Sequence, residues 1–205
     1  MVKSLMPFIS FEGIDASGKS TQINLLCEFL KKKEIDFLVV REPGGTSIGE
    51  KVREILLSPE SHMFPETEFL LYAASRAQLV REKILPALKD KKFVIADRFA
   101  DSSVAYQGFG RGIGIDKIDS INNFATLNIV PDITFIIDIP VEVSLQRKAE
   151  KRDRIELEKR EFIEKVREGY HVLSKDPRFV LIDGNRDIME VHHDIVNILK
   201  ERKII

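Results

Sequence analysis

The sequence predicts an α/β protein: a three-layer, doubly wound, five-stranded parallel sheet with helices on both faces. Three observations carry that expectation. Five short apolar runs, Phe8–Phe11, Phe37–Val40, Phe93–Ala96, Ile133–Ile137 and Phe179–Ile182, are continuous rather than alternating, as strands buried on both faces of a parallel sheet require. Segments with helical periodicity separate them, the alternation that forces parallel pairing. The first run leads into Gly13-Ile14-Asp15-Ala16-Ser17-Gly18-Lys19-Ser20. That is the G-x(4)-G-K-S pattern of a phosphate-binding P-loop in its strand–loop–helix setting, so the sheet is expected to be of the P-loop NTP hydrolase-like kind.

In this loop the glycines let the backbone turn with its N–H groups pointing inward. Those groups and the positive end of the following helix cradle a polyphosphate. Lys19 is expected to reach the outer phosphates and the Ser20 hydroxyl to hold Mg²⁺. The loop implies ATP or GTP as ligand.

The composition frames this reading. The chain has 205 residues, 43% hydrophobic and 32% charged, with a net charge of −1. One domain spanning 1–205 is expected, since no linker or repeat interrupts the pattern. A near-neutral chain offers no global field for nucleic acid or for an anionic membrane. The single cysteine, Cys27, excludes an internal disulfide and reads as a packed thiol. The N-terminal apolar stretch is too short for a signal peptide, and no run approaches membrane-spanning length. The cytoplasm is the expected compartment.

In such sheets ligands bind beyond the carboxyl ends of the strands. The second run ends in Arg41-Glu42-Pro43-Gly44-Gly45-Thr46, a sharp turn before a helix with Arg53. Between the second and third runs, a helical stretch over 66–83 sets Tyr72 and Arg76 four apart on one face. Spacing alone reads them as a core aromatic beside a surface arginine; the other reading is a ring that stacks on a base and a guanidinium that bonds its edge. The third run ends in Asp97-Arg98-Phe99, and an apolar strand closing on Asp is where P-loop proteins set a carboxylate beside Mg²⁺. No Asn-Lys-x-Asp element is present to read guanine, which argues against a signalling GTPase. After the fourth run comes a helix with Arg147, then a charge-rich stretch. Its simplest reading is a solvated helix with Glu150–Arg154 and Glu156–Arg160 pairs; the other is a lid carrying arginines over the phosphates. The four histidines, His62, His171, His192 and His193, lie outside all these motifs and read as structural or surface groups.

In combination the motifs closely resemble the thymidylate kinase family. They are Phe11-Glu12-Gly13-Ile14-Asp15, Arg41-Glu42-Pro43-Gly44-Gly45-Thr46, Ala73-Ala74-Ser75-Arg76, Asp97-Arg98-Phe99, Ser102-Ser103-Val104-Ala105-Tyr106-Gln107-Gly108 and Asp153-Arg154-Ile155-Glu156. The resemblance implies transfer of the ATP γ-phosphoryl group to dTMP, giving dTDP and ADP, with Mg²⁺, in a homodimer packed through helices beside the substrate site. It implies that residues 13–20 hold ATP, with Arg147 against adenine and with Ser20 and Asp97 at the metal. It implies that dTMP is held by Asp15 at the 3′-hydroxyl, by Arg98 and Arg53 at the phosphate, by Tyr72 stacked on thymine, and by Arg76, Ser102, Ser103 and Gln107 at the base. Tyr106 lies under the sugar, and Glu42 and Pro43 complete the dTMP site. Some members carry an arginine directly after the P-loop carboxylate. Here that position is Ala16, so a lid over about 147–160 is expected to supply the positive charge through Arg152 and Arg154, alongside Lys19 and Arg98. The alternatives are a kinase of another nucleoside monophosphate or deoxynucleoside and, from a different class, a non-catalytic nucleotide-binding module; an ATPase motor fits less well.

Overall fold

A computed structural model of the chain describes residues 7–147 and 153–205. Five strands, β1 (Phe8–Glu12), β2 (Phe37–Arg41), β3 (Phe93–Asp97), β4 (Ile133–Asp138) and β5 (Phe179–Asp183), form one sheet in the order β2-β3-β1-β4-β5. All four pairings are parallel, with Phe11 level with Asp97 on one side and with Phe135 on the other. Each expected strand is present and runs one residue further, to Glu12, Arg41, Asp97, Asp138 and Asp183. The polar residue that ends every apolar run is thereby delivered to the carboxyl edge, and β1, the central strand, lies between the two directions of winding.

Burial on both faces holds for β1, β3 and β4 but not for the edges. Val39 of β2 and Leu181 of β5 are exposed, because an edge strand has a neighbour on one side only.

Nine α-helical segments surround the sheet among the described residues. α1 (Lys19–Lys32) and α9 (Ile188–Glu201) cover one face, where Leu26, Leu30, Ile195 and Leu199 pack on Ile9, Phe11, Ile95 and Phe135. The other face is covered in two parts. α3 (Pro65–Leu79) runs through a wide π-helical turn, Val80–Ile84, into α4 (Leu85–Lys89); Leu79, Val80 and Ile84 lie on Phe8, Val94 and Phe99. α8 (Arg160–Leu173) packs Phe162, Val166 and Tyr170 against Ile136 and Tyr106. α2 (Ser47–Leu57) opens on a Thr46 cap whose hydroxyl accepts the Gly49 N–H at 2.9 Å. α5 (Ala100–Ser103) passes into a second π-helical turn, Val104–Gly110, followed by α6 (Ile115–Thr126) and, after β4, α7 (Val141–Arg147). Cys27 packs half-buried against the core, and burial raises its thiol pKa.

Residues 153–159 are turns rather than helix. The Glu156–Arg160 pair of the solvated-helix reading does not form: Arg160 bonds Glu142 and Glu164, and Glu156 accepts from the Asp153 N–H. Glu150 and Arg152 lie outside the described residues. No described helix is long and apolar enough to cross a membrane.

Candidate active site

The site begins at the end of β1. Gly13 has φ +133°, and a Cβ there would stand 2.4 Å from the Ile137 carbonyl oxygen of the neighbouring strand, so only glycine lets the loop turn this close to the sheet. Gly18 caps α1 with a left-handed conformation and no side chain over the helix end. The loop's inward N–H groups therefore meet the positive end of a 14-residue helix. Lys19 is buried and folds back over the loop, donating to the Gly13 and Ile14 carbonyls at 3.2 and 3.0 Å and to Ser17 Oγ at 3.4 Å. Burial and the facing Arg98 lower its pKa to about 8.

Ser20 Oγ donates to Asp97 Oδ2 at 3.1 Å. A hydroxyl of the loop and a carboxylate ending β3 thus converge on one point. Among the described residues no group of three or more His, Cys, Asp or Glu side chains could hold a metal. Two hard oxygen donors beside a phosphate cradle suit Mg²⁺, which takes one or two protein oxygens and fills its octahedron with phosphate oxygens and water.

Arg98, directly after Asp97, sits at φ +69°, a strained setting for a non-glycine residue. It aims the guanidinium back across the P-loop. Nη2 donates to Asp15 Oδ1 at 2.6 Å and to the Tyr106 hydroxyl at 3.1 Å, and Nη1 donates to the Gly13 carbonyl at 2.9 Å. The group also lies over the Tyr106 ring. Beneath it is Glu12, fully buried, which accepts the Phe99 N–H at 2.8 Å, the Ser102 hydroxyl at 2.5 Å and the Tyr170 hydroxyl at 2.8 Å. Burial and, next, the charge of Asp101 push its pKa up to about 7.

Beyond Arg98 opens a cavity of about 210 Å³. Every residue expected around dTMP lines it except Arg76, with Leu57, Asp153, Ile155 and Glu156 in addition. Tyr106 and Gln107 reach it from the π-helical turn, where an extra residue in the coil redirects side chains. Arg53 donates to the Pro43 carbonyl at 2.9 Å, and at Gly44, with φ +124°, an added Cβ would stand 2.7 Å from Glu50 Oε1.

Arg76 departs from both sequence readings of its pair with Tyr72. It is no surface arginine: it is 1% exposed. Nor does it line the cavity. Its Nε bonds Glu42 at 2.8 Å, Nη1 bonds Asn122 Oδ1 at 2.6 Å, and Nη2 bonds Ser103 Oγ at 3.1 Å, so it sits behind the wall and holds Glu42 and Ser103 in it. Tyr72 does face the cavity, and burial raises the pKa of its phenol.

Arg154 also departs from expectation. Its Nη1 bonds Glu68 at 2.7 Å and its Nε bonds the Leu56 carbonyl at 2.8 Å. Those two bonds tie the guanidinium to α2 and α3, while its third nitrogen, Nη2, is buried without a hydrogen-bond partner; the residue lines neither this cavity nor the one beside the P-loop. Arg152 lies outside the described residues.

A second cavity, about 370 Å³, flanks the P-loop on the other side and is lined by Ala16, Ser17, Gly18 and Arg147. Gly184 and Arg186, after β5, also line it. The carboxyl-edge rule points to that place in the sequence but to no particular residue. Glu12 had a sequence signal, a carboxylate closing the first apolar run just before the P-loop. Glu68 and Tyr170 had none, since helical periodicity gives them only a face.

The arrangement is therefore a P-loop with a guanidinium between it and a cavity walled in part by Tyr72 and Tyr106. Comparison with known proteins agrees. The thymidylate kinase family model matches residues 11–195. A protein named thymidylate kinase from Caldanaerobacter subterraneus subsp. tengcongensis is 57% identical over 197 residues, 95% of each chain. One from Kosmotoga olearia is 52% identical, covering 92% of this chain and 93% of its own. One from a Sulfurihydrogenibium species is 49% identical, covering 97% and 98%. With a family model that matches residues 11–195 and relatives of about half or more identity over nearly the whole chain, the chain belongs to the thymidylate kinase family.

Proposed function

We propose that the protein transfers the γ-phosphoryl group of ATP to the phosphate of dTMP, giving ADP and dTDP. The carrying observation is Arg98, fixed by Asp15, Gly13 and Tyr106 between the P-loop and the aromatic cavity. A cation there faces both a donor and an acceptor phosphate.

ATP takes its phosphates to the P-loop amides and Lys19, with its base toward Arg147. The acceptor enters the first cavity, its ring on Tyr72, its sugar at Asp15 and Tyr106, and its phosphate at Arg98 and Arg53. Ser20 and Asp97 would hold Mg²⁺, which neutralises phosphate charge when bound. A phosphate monoester has a second pKa of about 6, so the acceptor attacks as a dianion and needs no general base, in keeping with a site built without histidine. The new bond joins an acceptor phosphate oxygen to Pγ as the bond from Pγ to the β–γ bridging oxygen breaks. Lys19 and Arg98 offset the repulsion between the two anions and hold them in line. We assign Arg154 to anchoring the segment after residue 152 and keep Arg152 as the candidate lid cation for the transferring group, a role that rests on the family resemblance alone.

The chain is read as one kinase domain over 1–205 with a lid at about 147–160, acting in the cytoplasm. A homodimer is supported by apolar side chains exposed on α2 (Ile48, Ile55) and α3 (Leu70), helices that line the cavity, and on α6 (Phe124). The test is ADP formation with ATP and Mg²⁺ over a panel of nucleoside monophosphates: dTMP should turn over fastest, and a preference for another acceptor would favour the other-kinase reading.

A further inference from the structure

Glu68 is a carboxylate with 1% exposure in the first turn of α3, and no step above uses it. Its Oε1 accepts from Gln107 Nε2 at 2.8 Å and from Arg111 Nε at 3.1 Å. Its Oε2 accepts from Arg111 Nη2 at 2.9 Å and from Arg154 Nη1 at 2.7 Å. Burial alone would raise its pKa, but the hydrogen bonds from Arg111 and Gln107 outweigh it and hold the carboxyl below its ordinary value. The group facing Gln107 is thus an ionised carboxylate, which can only accept.

An amide has one donor end and one acceptor end, and its orientation is set by its partners. Against an acceptor-only neighbour Gln107 must turn its nitrogen to Glu68. The carbonyl is then the end left for the cavity that Gln107 lines. A buried carbonyl fixed in this way seeks an N–H. Thymine and uracil offer one at N3. Cytosine offers a lone pair there, which would meet the carbonyl head on.

We infer that Glu68 is a specificity-determining positioning residue: by pinning the Gln107 amide with its carbonyl toward the cavity, it selects bases with an imide N–H over bases with a ring-nitrogen acceptor. This rests on reading the first cavity as the dTMP site. Glu68 touches no substrate and acts only through Gln107. Its second oxygen, on Arg154, bears on both kinds of base alike, so the ratio between bases isolates the Gln107 effect.

The test compares dTMP and dCMP in wild type, Glu68→Gln and Glu68→Asp, taking the KM for dTMP and the inhibition constant of dCMP against it. A glutamine at position 68 can donate as well as accept, which frees Gln107 to turn over. The dCMP-to-dTMP ratio should fall roughly tenfold, the scale of one mismatched hydrogen bond. Glu68→Asp, still acceptor-only, should keep the ratio even where both constants rise. A wild-type ratio in Glu68→Gln, or equal shifts in the two variants, overturns the inference. Should the variants not fold, a crystal structure of wild type with dTMP decides. The amide must keep contact with Glu68 and set its other end within hydrogen-bond reach of N3; Gln107 turned away from Glu68 overturns the proposal. If wild type itself shows no preference for dTMP, it is the functional reading that fails.

Discussion

Arg98 Nη2 stands 2.6 Å from Asp15 Oδ1, so the cation between the two cavities is fixed by a carboxylate that belongs to the P-loop itself. On the proposed reading, donor cradle and acceptor grip are one structure. The remaining contacts of that guanidinium, to the Gly13 carbonyl and the Tyr106, Ser102 and Tyr170 hydroxyls, leave it little freedom, and preorganisation of this kind costs nothing at the moment of transfer.

Arg98→Ala should therefore cut kcat/KM for dTMP by a factor on the order of 10² to 10³, the usual effect of removing one preorganised donor from a charged transition state. The Kd for ATP should change little, because the P-loop amides and Lys19 stay in place. Steady-state kinetics with dTMP and calorimetry with an unreactive ATP analogue measure the two. Equal losses for both nucleotides would mean that Arg98 serves the loop and not the acceptor.

Glu12 makes a prediction about pH. Its carboxyl is raised from 4.5 to about 7 by burial and by Asp101, so between those values the folded chain holds a proton that the unfolded chain releases. Stability from this group is full below about pH 4.5 and declines as pH rises toward 7, by about 3 kcal/mol in total. Glu12→Gln removes the slope. Denaturant unfolding of both proteins from pH 4.5 to 7.5 should show the variant gaining on wild type as pH rises, whatever constant offset the lost hydrogen bonds introduce. Parallel curves would show that Glu12 ionises normally.

Asp97 is tested through the metal. In Asp97→Asn the Ser20 hydroxyl keeps an acceptor, so the loop should hold its shape, but the charge proposed to face Mg²⁺ is gone. The Mg²⁺ concentration giving half-maximal rate should rise about tenfold or more, in line with the loss of one charge-assisted contact. A titration indistinguishable from wild type removes Asp97 from the metal site.

The sheet and the main anion site were legible because each is written locally. A continuous apolar run names a buried strand, and Gly13 to Ser20 names a cradle. Strand ends shifted by one residue because Glu12, Asp97 and Asp138 are polar yet still pair in the ladder. What was not legible depends on distant contacts. Tyr72 and Arg76 share a helical face, yet one faces the cavity and the other lies behind its wall. That difference is set by Glu42, Asn122 and Ser103, which arrive from three other elements. Glu68 carries no signal at all, because its meaning lies in Gln107, Arg111 and Arg154.

Arg154 separates two roles by kinetics. The motif Asp153-Arg154-Ile155-Glu156 suggested a cation over the transferring phosphoryl group, whereas the side chain is tied to Glu68 and to the Leu56 carbonyl, with the Arg154 N–H bonded to Leu57 at 3.1 Å. Its neighbours Asp153, Ile155 and Glu156 line the first cavity. As an anchor, Arg154 sets where those neighbours stand. Arg154→Met keeps the stem and deletes the bonds, while Glu68 retains Arg111. The loss in folding stability should be about 1–2 kcal/mol, with partners left partly satisfied. Amide exchange over 153–157 should quicken, and the dTMP KM should rise several-fold while kcat stays within about a factor of three. An arginine acting on the transition state would do the reverse, leaving KM and exchange alone and lowering kcat by a factor on the order of 10². The direction of the split between kcat and KM thus decides which arginine question remains for the lid.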